Sequence, residues 1–111
     1  MEKYFSKLVR DKIPEIIKHN GDIPTTRILE DNEYKEELLK KLIEECNEVL
    51  NAKTNIETLE ELADTLEVID AIVKLMGFNI EDVKKIQEEK KNKRGSFDKK
   101  IFLIKTKSKE D

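Results

Sequence analysis

The sequence predicts an all-α protein, an antiparallel bundle of two long helices with shorter helices beside it, completed by oligomerisation. Three observations carry that expectation. Apolar residues recur at three- and four-residue spacing through the middle of the chain, the period of one helix face. Proline and glycine are scarce (Pro 2, Gly 3) and stand at the edges of the periodic stretches. Helix punctuation is present too: Thr54 followed three residues later by Glu57 has the spacing of a capping box, and Gly77 follows the last periodic residue. At 111 residues and 13.0 kDa the chain is expected to form a single domain over residues 1–111, with no room for two ordinary cores.

Each element has its own signal. A short helix is expected from about Asp11 to His19, with Pro14 in its first turn and Asn20-Gly21 as its stop. Residues Asp22 to Ile28 carry Pro24, Thr25 and Thr26 and read as a loop or extended segment. The first long helix is expected from about Asn32 to Ala52. The second follows the Thr54 cap and runs to about Met76. A third helix, capped by Asn79, covers about Ile80 to Lys91, and Gly95 closes that region. Phe97 to Ile104 (FDKKIFLI) reads as either a short strand or an extended arm, and the charged tail KTKSKED is expected to fray.

Composition limits the function classes. With 25 acidic against 22 basic residues the net charge is −3, which argues against a nucleic-acid polymer as partner through bulk positive charge. The single cysteine, Cys46, permits no intrachain disulfide; flanked at helical spacing by Leu42, Val49 and Leu50, it reads as a core filler. The N-terminal MEKYFSKLVRDK has no apolar signal-peptide core, and no run approaches the ~20 residues of a membrane span. A cytoplasmic protein with no membrane partner is therefore expected.

The informative residues are carboxylates. On a helical wheel of residues 32–52, Leu38, Leu39, Leu42, Cys46, Val49 and Leu50 form one apolar face, and Lys41, Glu45, Glu48 and Ala52 form a second stripe along its border. On the second long helix Leu59, Leu62, Leu66, Ile69, Val73 and Met76 make the primary core face, while Glu60, Glu67 and Lys74 mark the solvent side. A further stripe begins with Glu57, Glu61 and Asp64 and continues as Val68, Ala71, Ile72 and Leu75. A plain solvated face would not change from acidic to apolar along its length. This separates Glu61-x-x-Asp64, on that stripe, from Glu67-x-x-Asp70, which reaches the solvent side.

The short connection near Lys53 makes the two helices antiparallel neighbours, so Glu45 and Glu48 can face Glu61 and Asp64. Four carboxylates held together repel unless protonated or bridged by cations. An oxygen-only donor set suits a hard ion, Mg²⁺ or its substitute Mn²⁺, and such an ion commonly shares its remaining positions with water and substrate phosphates. The chemistry indicated is phosphate chemistry. Two apolar faces on one helix of a small chain also need more cover than the chain supplies, which predicts a homodimer or larger assembly.

These residues resemble the all-α NTP pyrophosphohydrolase superfamily, the MazG-like and phosphoribosyl-ATP pyrophosphohydrolase-like proteins, whose signature is E-E-x-x-E followed by E-x-x-D. Here it reads Glu44-Glu45-Cys46-Asn47-Glu48 and Glu61-Leu62-Ala63-Asp64. The flanks KLVRDKIPEII (7–17) and KRGSFDKKIFL (93–103) look like those of a small MazG-like subgroup. The resemblance implies hydrolysis of a nucleoside triphosphate between its α and β phosphates, giving a monophosphate and pyrophosphate. It implies Glu45, Glu48, Glu61 and Asp64 as Mg²⁺ ligands and Glu44 as a helper that positions or deprotonates the water. It also implies a homodimer or homotetramer in which helices of neighbouring subunits form the substrate pocket.

For substrate contacts, the basic clusters Lys7, Arg10, Lys12 and Lys93, Arg94, with Lys41, suit phosphate, and Gly95 would let a backbone N–H approach an oxygen. Phe97 would pack against a base or anchor the arm. His19 has no companion and reads as surface. Two alternatives stand beside this reading: phosphoribosyl-ATP hydrolysis by the same α–β cleavage, and a non-catalytic helical oligomer or regulatory nucleotide-binding module.

Overall fold

Four α-helices are present in the computed structural model, which describes residues 1–110: α1 (Ile13–His19), α2 (Asp31–Asn51), α3 (Asn55–Leu75) and α4 (Ile80–Arg94). Among the described residues there is no strand, and the fold is all-α. Each expected helix forms, with no end displaced by more than three residues.

The punctuation behaves as local chemistry requires. Pro14 sits at the start of α1, where its missing N–H costs no helix bond. At the C-terminus of α1, Gly21 takes φ +96°, and the N–H groups of Gly21 and Asp22 donate to Lys18 O and Ile17 O at 3.0 and 3.1 Å. Gly77 repeats this after α3 at φ +86°, with bonds to Lys74 O at 3.0 Å and, from Phe78, to Val73 O at 3.1 Å. Both are Schellman ends, which need a left-handed residue and satisfy carbonyls the helix leaves open. At the start of α3 the Glu57 N–H donates to Thr54 Oγ1 at 3.1 Å. The return bond of the capping box comes one residue early: Glu57 Oε2 accepts from the Lys53 N–H at 3.0 Å. Glu57 is thus a capping residue.

The chain divides into two units, Met1–Ile80 and Glu81–Asp111. In the second unit α4 carries alternating charge and every described residue is exposed, so that unit has no core of its own. Residues Phe97–Ile104 form no strand, although the Lys100 N–H closes a turn on Phe97 O at 3.1 Å. A strand would need a second strand to receive its ladder bonds, and none is present among the described residues. The last residue of the KTKSKED tail, Asp111, lies outside the described residues.

The first unit is organised by α2 packed against α3. A link of Ala52, Lys53 and Thr54 joins them, which makes the pair an antiparallel hairpin; each helix spans roughly 30 Å at ~1.5 Å per residue. Before α2, Arg27 forks onto Glu33 through contacts of 2.9 and 2.6 Å, tying the irregular segment 22–30 to the helix's first turn. That pairing lowers the Glu33 carboxyl and raises the Arg27 guanidinium in pKa.

The core is small: Leu38, Val68 and Val73 are its buried apolar residues. Its position corrects two sequence expectations. The stripe Thr58, Glu61, Thr65, Val68, Ile72 and Leu75 is half-buried or buried, at heptad spacing, and so are Tyr34, Leu38, Lys41, Leu42, Glu45 and Val49 on α2 and Ala52 just beyond it. The seam between the helices therefore runs along the stripe that turns from acidic to apolar. The expected primary core face of α3 splits: Val73 is buried and Ile69 half-buried as expected, whereas Leu59 at 66%, Leu62, Leu66 at 60% and Met76 are exposed. Cys46, expected as core, is exposed as well. The physical reason is rotation by one residue: Cys46 follows Glu45, and Leu59, Leu62 and Leu66 each follow a seam position, ~100° round the helix.

Candidate metal centre

The site is built by that seam. Glu45 lies as far before the end of α2 at Asn51 as Glu61 lies after the start of α3 at Asn55, so an antiparallel hairpin puts them level. Asp64 follows Glu61 by three residues, on the same side of α3. One carboxylate oxygen from each of Glu45, Glu61 and Asp64 lies within 4.8 Å of the other two. Glu45 is only 9% exposed, an uncommon state for a glutamate.

Burial pushes the Glu61 carboxyl above its ordinary pKa, helped by the neighbouring charges of Asp64, Glu45 and Glu48 and by a hydrogen bond with Glu45. The group is therefore a site of concentrated negative charge, open to relief by a proton or a cation.

A basic side chain already reaches it. Arg10 Nη2 is 2.7 Å from Asp64 Oδ1, across 54 residues of sequence, with the two side chains 58% and 43% exposed. The sequence proposed Arg10 only as a phosphate contact; nothing local signals its pairing with Asp64, because the two are 54 residues apart and meet only in the folded chain.

The remaining candidates divide. Glu48 is exposed on α2 and outside the three-oxygen group, yet near enough for its charge to act on Glu61. Glu44 is exposed and also outside it. Lys41 is half-buried on the seam one turn before Glu45. Lys7 extends over the Phe5 ring, 5.8 Å from its centroid, and Lys12 sits at the N-terminus of α1. Lys93 and Arg94 end α4, with Gly95 just beyond and Phe97 exposed; all four belong to the second unit. His19 is exposed, as expected.

The structure separates the two E-x-x-D patterns. Asp64 joins the carboxylate group, whereas Asp70 is neutralised by Lys74 at 2.9 Å, and Glu67 is exposed.

The donor set fits a hard divalent cation. Two oxygens on one Mg²⁺, at ~2.1 Å each, lie about 3 to 4 Å apart, so a side-chain adjustment of about an ångström would close the set. All donors are oxygens, and no thiol or imidazole belongs to the group.

Among proteins of known sequence, an uncharacterized protein of Mycolicibacterium smegmatis is 46% identical to this chain over 55 residues, 50% of this chain and 56% of the relative. The match thus spans little more than half the relative's length. No protein-family model matches the chain. No solved structure matches it.

Proposed function

We propose that the chain is a divalent-cation-dependent nucleoside triphosphate pyrophosphohydrolase, cleaving between the α and β phosphates to give a nucleoside monophosphate and pyrophosphate, in the cytoplasm. The observation that carries this reading is the convergence of Glu45, Glu61 and Asp64 on the helix seam, with Arg10 beside them. Nothing in packing calls for carboxylates there; an apolar continuation of the Val68–Leu75 seam would bury more comfortably. Such a set is suited to a bound cation, and the acidic signature it belongs to resembles that of enzymes acting on nucleotides.

In this reading Glu45, Glu61 and Asp64 hold Mg²⁺ or Mn²⁺, and Glu48, on the exposed rim, completes the set from the solvent side. When bound, the ion supplies charge neutralisation of phosphate oxygens and a lowered pKa for water. Glu45 is the rigid member, fixed by its burial. Glu61, whose carboxyl is raised in pKa by burial and its acidic neighbours, would gain most from the charge of a bound cation. Glu44, exposed on the same helix, would be the helper that positions or deprotonates the attacking water. Arg10, Lys7, Lys12 and Lys41 supply positive charge for the triphosphate on the α2–α3 side.

The partner we propose is a second copy of the chain. On α2 the exposed residues Leu39, Ile43, Cys46 and Leu50 each follow a half-buried or buried position by one, as Leu59, Leu62 and Leu66 do on α3 and Met76 does at its end. In an antiparallel pair, a one-residue advance turns both stripes toward the same side of the hairpin. The result is a continuous apolar face. Two helices, each about 30 Å long and ~10 Å across, give it a footprint of roughly 600 Å². That approaches the ~800 Å² per partner of a stable interface. A like face on another copy would cover it, as in a four-helix bundle.

A panel of nucleoside triphosphates and phosphoribosyl-ATP, assayed for pyrophosphate release with Mg²⁺, tests the activity. Release from one or more triphosphates, lost in Glu61→Gln and kept in Glu67→Gln, is the expected result. Release from phosphoribosyl-ATP alone would select that substrate. Binding without release would select the non-catalytic module, and equal activity in both variants would refute the site.

A further inference from the structure

The N-terminal segment ends in an arginine that touches a proposed ligand of the cation, and this contact has a consequence. We propose that Arg10 is an internal counter-cation of the acidic site, holding Asp64 until a divalent ion displaces it and thereafter free to bind a phosphate of the nucleotide. The inference rests on the divalent-cation reading above and concerns the order in which the site fills.

Three observations support it. The contact is a direct ion pair, 2.7 Å from Arg10 Nη2 to Asp64 Oδ1, on one of the three clustered carboxylates. Both side chains are about half exposed, so the arginine can leave without exposing a core. Arg10 also precedes α1, in a stretch with no regular secondary structure, so no helix or strand has to be broken for its side chain to redirect.

The physics of exchange follows from distances. A guanidinium nitrogen at 2.7 Å and a metal ion at ~2.1 Å from the same oxygen would stand within about 5 Å of each other, both positive. Binding of the ion therefore weakens the arginine's hold on Asp64. Arginine keeps its charge at every working pH and presents a planar fork suited to phosphate oxygens. Released at the rim of a loaded site, it is placed to receive the triphosphate that the ion also contacts. Before loading, the same charge lessens the repulsion among Asp64, Glu61 and Glu45.

Calorimetric titration of the full chain with Mn²⁺ alone tests the first half. Arg10→Ala and Arg10→Gln are expected to bind Mn²⁺ about two- to fivefold more tightly than the unaltered protein, the range lost with a partly exposed ion pair. Arg10→Gln keeps a hydrogen-bond donor without the charge and separates electrostatics from a folding defect. With Mn²⁺ saturating, α,β-methylene-ATP is expected to bind both variants about tenfold more weakly, through loss of a charge-assisted phosphate contact. Unchanged or weaker Mn²⁺ binding in both variants, with Glu61→Gln abolishing it, overturns the counter-cation while leaving the metal site standing. Tighter Mn²⁺ binding with unchanged analogue affinity overturns the handover to phosphate. Failure of the unaltered protein and both variants to bind Mn²⁺ overturns this inference together with the metal reading.

Discussion

Replacing Leu66 by lysine asks whether the exposed face of α3 is covered in solution. In the single chain Leu66 is 60% exposed, so Leu66→Lys removes little packing and should change monomer stability by no more than about 0.5 kcal/mol. In an assembly the remaining surface is buried. Full burial of a leucine is worth about 1.5–3 kcal/mol, so the part still exposed is worth about 1–2 kcal/mol per copy. A two-fold interface counts that twice, and about 2–4 kcal/mol weakens association roughly 30- to 800-fold. Sedimentation equilibrium from micromolar to millimolar concentration reads that change directly. The control is Leu38→Ala, inside the α2–α3 seam, which should cost about 2–5 kcal/mol of stability at any concentration. An unaltered protein that sediments as a monomer throughout, with Leu66→Lys matching its mass and melting temperature, would refute the covered face.

Three further outcomes are expected. Mg²⁺ should raise the melting temperature of the unaltered protein and EDTA should return it, because a ligand of the folded form alone stabilises it; no shift in Glu61→Gln is the companion result, read by differential scanning fluorimetry. In metal-free buffer, stability should fall as pH rises, since the Glu61 carboxyl has a folded pKa above its ordinary 4.5 and the folded state holds the extra proton. That loss begins near the ordinary value and is complete above the raised one; urea melts at several pH values should show Glu61→Gln lacking it, and an equal slope in the variant would contradict the assignment. Thr54→Ala should destabilise the protein by about 1 kcal/mol through loss of the bond that Thr54 Oγ1 accepts from the Glu57 N–H, seen as a lower urea midpoint with an unchanged slope.

Much of this molecule was legible from local chemistry. Helix number and ends follow from Pro14, Gly21, Thr54 and Gly77, because caps and left-handed ends depend on neighbours in the chain. The pairing of Glu45 with Glu61 and Asp64 was legible as well, through a three-residue link that forces an antiparallel hairpin and a stripe that changes from acidic to apolar. Periodicity could not tell which of two adjacent apolar stripes on α3 would meet α2. Both have heptad spacing, and they differ by one residue of rotation. Only the tertiary structure decided it, turning Val68 and Ile72 inward and Leu59 and Leu66 outward and leaving Cys46 exposed. The Arg10–Asp64 pair was likewise beyond the sequence, since a contact across 54 residues has no local signal and exists only where the folded segment brings the two charges together.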